Sequence, residues 1–166
     1  MKAIVYESNS GYTRKYAELL ADKAGLPAYE RKEAAGHLKK GDEIIYMGWM
    51  FAGNVKGYKS AGKRYSVKAL CGVGMGRPTP KVVQELTEKY PVSGIKLFYL
   101  QGGFNMRRLH GVYKFMMKTM SKTVGGKIKK KETKTEEEIE MLEMMQNGGD
   151  FVKEENLKPI LEWLGK

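Results

Sequence analysis

The sequence predicts an α/β fold built on a doubly wound, five-stranded parallel sheet. Three observations carry that expectation. Apolar runs of strand length alternate along the chain with amphipathic helical patterns. The clearest run, Glu43-Ile44-Ile45-Tyr46-Met47-Gly48, does not alternate apolar with polar, as a strand covered on both faces would not. Several strands pass directly into turns rich in glycine and small residues, the arrangement expected at the carboxyl edge of such a sheet.

Each element has its own signal. Ala3–Tyr6 reads as a buried strand, and Tyr16, Leu19, Leu20 and Lys23 continue at helical spacing across 14–23. Gly25 stops that helix and Pro27 forbids its continuation. Residues 28–31 form a short second strand, and 33–40 a polar connection with Leu38 turned inward. Gly41-Asp42 turns into the third strand, 43–48, and Trp49 to Asn54 reads as a glycine-containing loop with large apolar side chains. Tyr58 to Arg64 forms a short basic helix. The fourth strand, 67–73, ends in a loop running from Gly74 to Pro80. Thr79 caps the next helix, with Pro80 at its first position. The fifth strand covers 95–100. Leu109, Val112, Phe115, Met116 and Met120 fall on one helical face, with Lys114, Lys118 and Lys122 on another, and Gly125-Gly126 opens a flexible basic connection. Thr135 and Glu138 make a capping box for an acidic helix ended by Asn147-Gly148-Gly149. The last helix carries Leu157, Ile160, Leu161 and Leu164 inward. One domain over 1–166 is expected, with 124–152 an insertion or flexible segment within it.

Composition narrows the function classes. A chain of 166 residues builds one well-buried domain. No apolar stretch approaches the roughly 20 residues that span a bilayer, and the N-terminus lacks a secretory pattern. The single cysteine, Cys71, excludes an intrachain disulfide and a cysteine-built metal site, and the two histidines stand far apart. A cytoplasmic, metal-free protein is expected, with membrane association on the inner face as an extension. Charge is the unusual feature, at net +11. Residues 1–131 hold 26 Lys and Arg against 9 Asp and Glu, and two long stretches, 44–84 and 107–131, hold no carboxylate at all. Such fields attract anionic partners: an acidic protein, an anionic small molecule, anionic lipid or nucleic acid.

The stretch Ser8-Asn9-Ser10-Gly11-Tyr12-Thr13 is the strongest site signal. It joins a strand to a helix, where unpaired backbone N–H groups and the helix dipole favour an anion. Its hydroxyls add donors, and Gly11 lets the backbone approach closely. Sharper phosphate motifs fail. Gly36 to Gly41 has the spacing of a Walker loop, but Asp42 stands where lysine is required, and Arg77 replaces the third glycine of a dinucleotide fingerprint after Gly72 and Gly74. Cys71 lies inside a strand, as a buried and inert thiol would.

On the residues Ser8 to Thr13, with Ser10 at the middle hydroxyl, and on Gly41 to Gly48, with its leading Asp42 and closing Gly48, the chain resembles the flavodoxin-like family. The resemblance implies the strand order 2-1-3-4-5 and FMN as cofactor. It places the phosphate on Ser8, Asn9, Ser10, Gly11, Tyr12 and Thr13. The isoalloxazine ring lies between Trp49, Met50, Phe51, Ala52, Gly53 and Asn54 on one side and Gly74, Met75, Gly76 and Arg77 on the other. Trp49 or Phe51 would stack on the ring, and Gly53 would adopt positive φ beside it. The chain departs from the family pattern in having no aromatic residue in the fourth-strand loop and a basic surface. The stretch Tyr113 to Met120 with Gly125-Gly126 is similar to an insertion of quinone-dependent protoporphyrinogen dehydrogenases, which implies an anionic substrate received by Arg77, Arg107, Arg108 and Lys114 and a 109–120 face turned to a membrane. The function expected is FMN-dependent electron transfer or oxidoreduction. A basic nucleic-acid-binding module, using the aromatics beside Lys59 and Lys114, is the alternative of another class.

Overall fold

The computed structural model describes residues 1–90 and 94–166, without the side chain of Glu137. Its sheet contains β1 (Ala3–Glu7), β2 (Ala28–Glu30), β3 (Glu43–Phe51), β4 (Asn54–Val55), β5 (Ser66–Gly74) and β6 (Lys96–Gln101). Five of these are parallel, in the order β2-β1-β3-β5-β6, and β4 pairs antiparallel with the end of β3. The expected five-stranded parallel sheet is therefore present, with the two-residue β4 as an addition to the expected order. The helices are α1 (Tyr12–Ala24), α2 (Tyr58–Gly62), α3 (Pro80–Lys89), α4 (Gly111–Lys129), α5 (Glu136–Asn147) and α6 (Lys158–Trp163).

Successive strand residues point to opposite faces, so the non-alternating runs bury both. Ile4, Ile45, Met47 and Cys71 pack under α1 and α6 against Tyr16, Leu20, Leu157 and Ile160. Val5, Ile44, Tyr46 and Leu70 face the other way, against Ala61 and Leu86 of α2 and α3. Gly25 ends α1 in the left-handed conformation, φ 65°, and Thr79 and Thr135 cap α3 and α5 as the sequence implied. Tyr16 ties the layers together: its hydroxyl donates to the Gln101 carbonyl at 2.6 Å and accepts from the Asn156 amide at 2.6 Å.

Two expectations are overturned. Trp49 to Asn54 is not a loop. Pairing with β5 continues past Gly48 to Trp49, and β3 then folds back on itself through Ala52-Gly53 into β4. Both turn residues have positive φ, 47° and 70°, as a two-residue hairpin of the favoured twist requires. Gly125-Gly126 is not a flexible connection either. Helix α4 runs through it to Lys129, and Gly125 is buried against Met145 and Leu142 of α5, where a Cβ would make only ordinary van der Waals contact. The excursion that holds α4 and α5 leaves the sheet at β7 (Gly103–Phe104) and returns at β8 (Gly149–Asp150), which pair antiparallel. A third small core, Phe104, Leu109, Met117 and Met144, seats it on the body.

Leu20 is fully buried between α1 and the sheet, whereas Val83 on α3 is 40% exposed. Leu20→Ala is expected to cost about 2–5 kcal/mol, and Val83→Ala less than about 0.5 kcal/mol. Urea unfolding of the two variants checks this contrast.

Candidate functional site

The carboxyl ends of β1, β3 and β5 lie side by side, in the register Glu7↔Gly48 and Gly48↔Gly72. The segments that follow them line an apolar cavity of about 250 Å³. Ser10, Tyr12 and Thr13 come from the first, Trp49 to Ala52 from the second, and Gly74, Met75 and Gly76 from the third. Helix α4 and its approach form the roof, through Leu109, Met117 and Met120. A polar pocket of about 300 Å³ adjoins it, with Ser8, Asn9, Gly11, Arg14, Arg108 and His110 in its wall. Ser10 lines both spaces.

The β1–α1 turn presents backbone donors that the protein leaves unpaired. Gly11 adopts φ 94°, open to glycine and strained for other residues. Its N–H donates to Ser8 Oγ at 3.1 Å, and the first helical bond is Lys15 N–H to the Gly11 carbonyl at 3.0 Å. The N–H groups of Tyr12, Thr13 and Arg14 therefore have no protein acceptor among the described residues, and no side chain caps the helix. Asn9 is engaged elsewhere: its Oδ1 accepts from His110 N–H at 3.3 Å, docking the approach to α4 onto the turn. Arg14 pairs with Glu18 at 2.7 Å along an exposed helix face, while Arg108 has no ion-pair partner among the described residues.

The hairpin supplies aromatic walls. Trp49 and Phe51 share one face of β3, their ring centroids 5.8 Å apart. Both meet the ring of Tyr113 from α4 edge-on, at 4.7 and 5.3 Å, and the Lys56 ammonium sits 5.1 Å from the Tyr113 centroid. In this structure the two aromatics expected to stack on a cofactor pack on Tyr113 while still facing the cavity. Met50, on the opposite face of the strand, lies over Gly72, where a Cβ would approach its sulfur to 2.8 Å.

Gly53, Asn54 and Arg77 stand outside both spaces. Gly53 is at the hairpin tip, and the Asn54 side-chain amide donates to the Ala52 carbonyl at 3.0 Å. Arg77 turns away from the cavity and pairs with Glu140 of α5 at 2.5 Å, because the excursion brings an acidic helix beside the loop. Residue-by-residue reading missed Tyr99 and Tyr113. Tyr99 is the aromatic that the loop after β5 lacks, delivered instead from β6. Its hydroxyl donates to the Gly76 carbonyl at 3.0 Å, and Gln101 Nε2 donates to the Met75 carbonyl at 3.2 Å. A Cβ on Gly74 would stand 2.8 Å from the Tyr99 ring. In the β5–β6 register Gly72 lies opposite Tyr99 and Gly74 opposite Gln101, a pairing that sequence alone does not give.

Cys71 is buried within the sheet, and burial pushes its thiol well above the usual range, so it offers no nucleophile to the site. Among the described residues no group of three or more His, Cys, Asp or Glu is arranged to hold a metal, and no helix is long and apolar enough to cross a membrane. No family model matches the chain, and no curated protein matches it significantly.

Burial pushes the Tyr99 phenol from 10 up to about 12. The folded state thus holds a proton that the unfolded chain releases above pH 10, so the stabilisation is fully present below pH 10 and declines as pH rises from 10 to 12. Tyr99→Phe is expected to flatten that alkaline decline. Urea midpoints measured across the interval, for both proteins, test it.

Proposed function

We propose that this chain is an FMN-binding redox protein of the flavodoxin-like kind. The observation that carries the reading is the junction at Ser10 of an anion turn and an aromatic-walled cavity, at the carboxyl edge of a parallel sheet. In open α/β sheets, ligands bind at this place, outside the carboxyl ends of the strands where the strand order switches. The residues present fit the cofactor. The unpaired N–H groups of Tyr12, Thr13 and Arg14, with the Ser10 hydroxyl and the Arg108 guanidinium, form a donor set for a phosphate ester. Trp49 and Phe51 on one side, and Met75 and Tyr99 on the other, offer apolar and aromatic surface to a flat ring. Together the two spaces fall within the roughly 300–1,000 Å³ usual for such ligands.

Bound there, the flavin would supply electron transfer to and from a partner at its exposed edge. The chain's own contribution is to bind, orient and shield. Tyr99 and Gln101 hold the Met75-Gly76 backbone in place, and the Ala52-Gly53 turn keeps the hairpin closed over the sheet. No side chain is assigned as acid or base. The basic surface favours an anionic redox partner or an anionic substrate. Lys56 and Lys89 flank the hairpin without an ion-pair partner among the described residues, and the Lys89 ammonium reaches the Gly53 tip.

The purified protein is expected to take up FMN and turn yellow. A carboxylate at the turn, Ser10→Asp, would oppose the phosphate by about 2–3 kcal/mol, weakening FMN binding roughly a hundredfold and riboflavin binding much less. Titration of both flavins, followed by quenching of their fluorescence, gives the comparison. Failure to bind FMN removes the proposal, and an equal loss for both flavins removes the phosphate assignment.

A further inference from the structure

A further cavity, of about 390 Å³, lies between α3 and α5. It shares Met75, Gly76 and Val82 with the aromatic-walled cavity, so the two are neighbours. Helical spacing builds its walls. Lys81 and Glu85 stand four apart on α3, and Glu136, Glu140 and Met144 recur every four residues on α5. Met75, Val82, Met141 and Met144 supply its apolar surface. The unbranched thioether of methionine lets such a surface adapt to the shape of what it meets. The charge of this cavity sets it apart from the rest of the chain. Arg77 and Glu140 neutralise one another at 2.5 Å. That leaves Lys81 against Glu85 and Glu136, and none of the three has an ion-pair partner among the described residues. In a protein of net charge +11, these walls carry a surplus of negative charge. Donors at the start of the two helices are already engaged. Thr79 Oγ1 accepts from the Val82 N–H at 3.3 Å, and Thr135 and Glu138 close the capping box of α5.

We propose that this cavity binds a small organic cation, an apolar body carrying one ammonium group. The body rests on the methionine wall, and the ammonium group faces Glu85 and Glu136, where hydrogen bonds to ionised acceptors are strong. The volume falls within the roughly 300–1,000 Å³ usual for small-molecule sites. Discrimination comes as much from repulsion as from attraction. An anion of the same shape meets two uncompensated carboxylates, while Arg77, a cation that could receive it, is held by Glu140. A neutral molecule gains the apolar contact alone. The Ser8–Thr13 turn and this cavity therefore select ligands of opposite charge. The inference stands on the second cavity and does not require the flavin. Because Met75 and Gly76 belong to both cavities, a ligand in this one also touches the wall of the other.

Three probes of one shape test this on purified ¹⁵N-labelled protein with no flavin added: 4-phenylbutylamine, 4-phenylbutanol and 4-phenylbutanoate. The amine is expected to bind at least about tenfold more tightly than the alcohol, and the acid more weakly than either. Its amide shifts should centre on residues 81–85 and 136–144, with Met75 and Gly76, and not on Trp49 to Ala52. Glu85→Gln with Glu136→Gln should remove the advantage of the amine and leave the affinity of the alcohol unchanged. Glu155→Gln with Glu162→Gln makes the same change of net charge outside the cavity and should leave amine binding as it was. All four residues are exposed, so circular dichroism of both variants should match the parent. Absence of amine binding, equal affinity for the alcohol or the acid, shifts confined to other surfaces, or an equal loss in the two variants would each overturn the proposal. FMN uptake enters none of these readouts, so the outcome is separate from that of the flavin reading.

Discussion

Parallel pairing of β1, β3 and β5 is the constraint on which the rest of the molecule depends. Because the three strands run the same way and in close register, their carboxyl ends emerge together, and three sequence-distant segments meet with no further design. The edge carries glycines across neighbouring strands, with Gly48 opposite Gly72. A Cβ at Gly48 would stand 2.6 Å from Val55, and one at Gly72 would press on the Met50 sulfur. These two absent side chains are what let the β3–β4 hairpin lie back across the sheet and carry Trp49 and Phe51 to the cavity. The aromatic wall is thus a consequence of sheet geometry and small residues, not of a loop conformation.

Electrostatics then divides the edge into two environments. At the start of α1 three N–H groups point outward without acceptors, and the helix dipole reinforces them. A few ångströms further in, the walls are methionine, aromatic and aliphatic, and the Tyr99 hydroxyl is engaged by the Gly76 carbonyl. The segment between β6 and α4 binds the halves together, since the His110 N–H reaches Asn9 while Leu109 fills the cavity roof. A ligand that is anionic at one end and flat and apolar at the other matches this division better than a simple anion or a simple apolar molecule would.

Much of this was legible from local chemistry. The Ala3–Tyr6 and Glu43–Gly48 strands, the Gly25 stop, the Thr79 and Thr135 caps and the Ser8–Thr13 turn each rest on contacts within a few residues, and sequence reports such contacts directly. What was not legible depends on partners distant in sequence. Trp49 to Phe51 reads as a loop until β5 is present to extend the pairing. Gly125-Gly126 reads as a hinge until α5 packs against it. Arg77 reads as a free cation until Glu140 arrives, and Tyr99 belongs to the site only because β6 runs beside the loop after β5. The apolar residues of α4 divided similarly. Of the residues expected on one helical face, Leu109 is buried in the cavity roof while Val112 and Phe115 are exposed, a distinction that the shape of the body decides.

The central claim is that the Ser8–Thr13 turn and the aromatic-walled cavity form one site for one two-ended ligand. The most direct measurement is the amide correlation spectrum of ¹⁵N-labelled protein titrated with FMN and, separately, with riboflavin. The account predicts that FMN moves the amides of Gly11 to Arg14 together with those of Trp49 to Gly53 and Gly74 to Gly76, whereas riboflavin moves the second and third groups and leaves the first nearly unchanged. Shifts confined to other surfaces, or a first group that responds equally to both flavins, would contradict it.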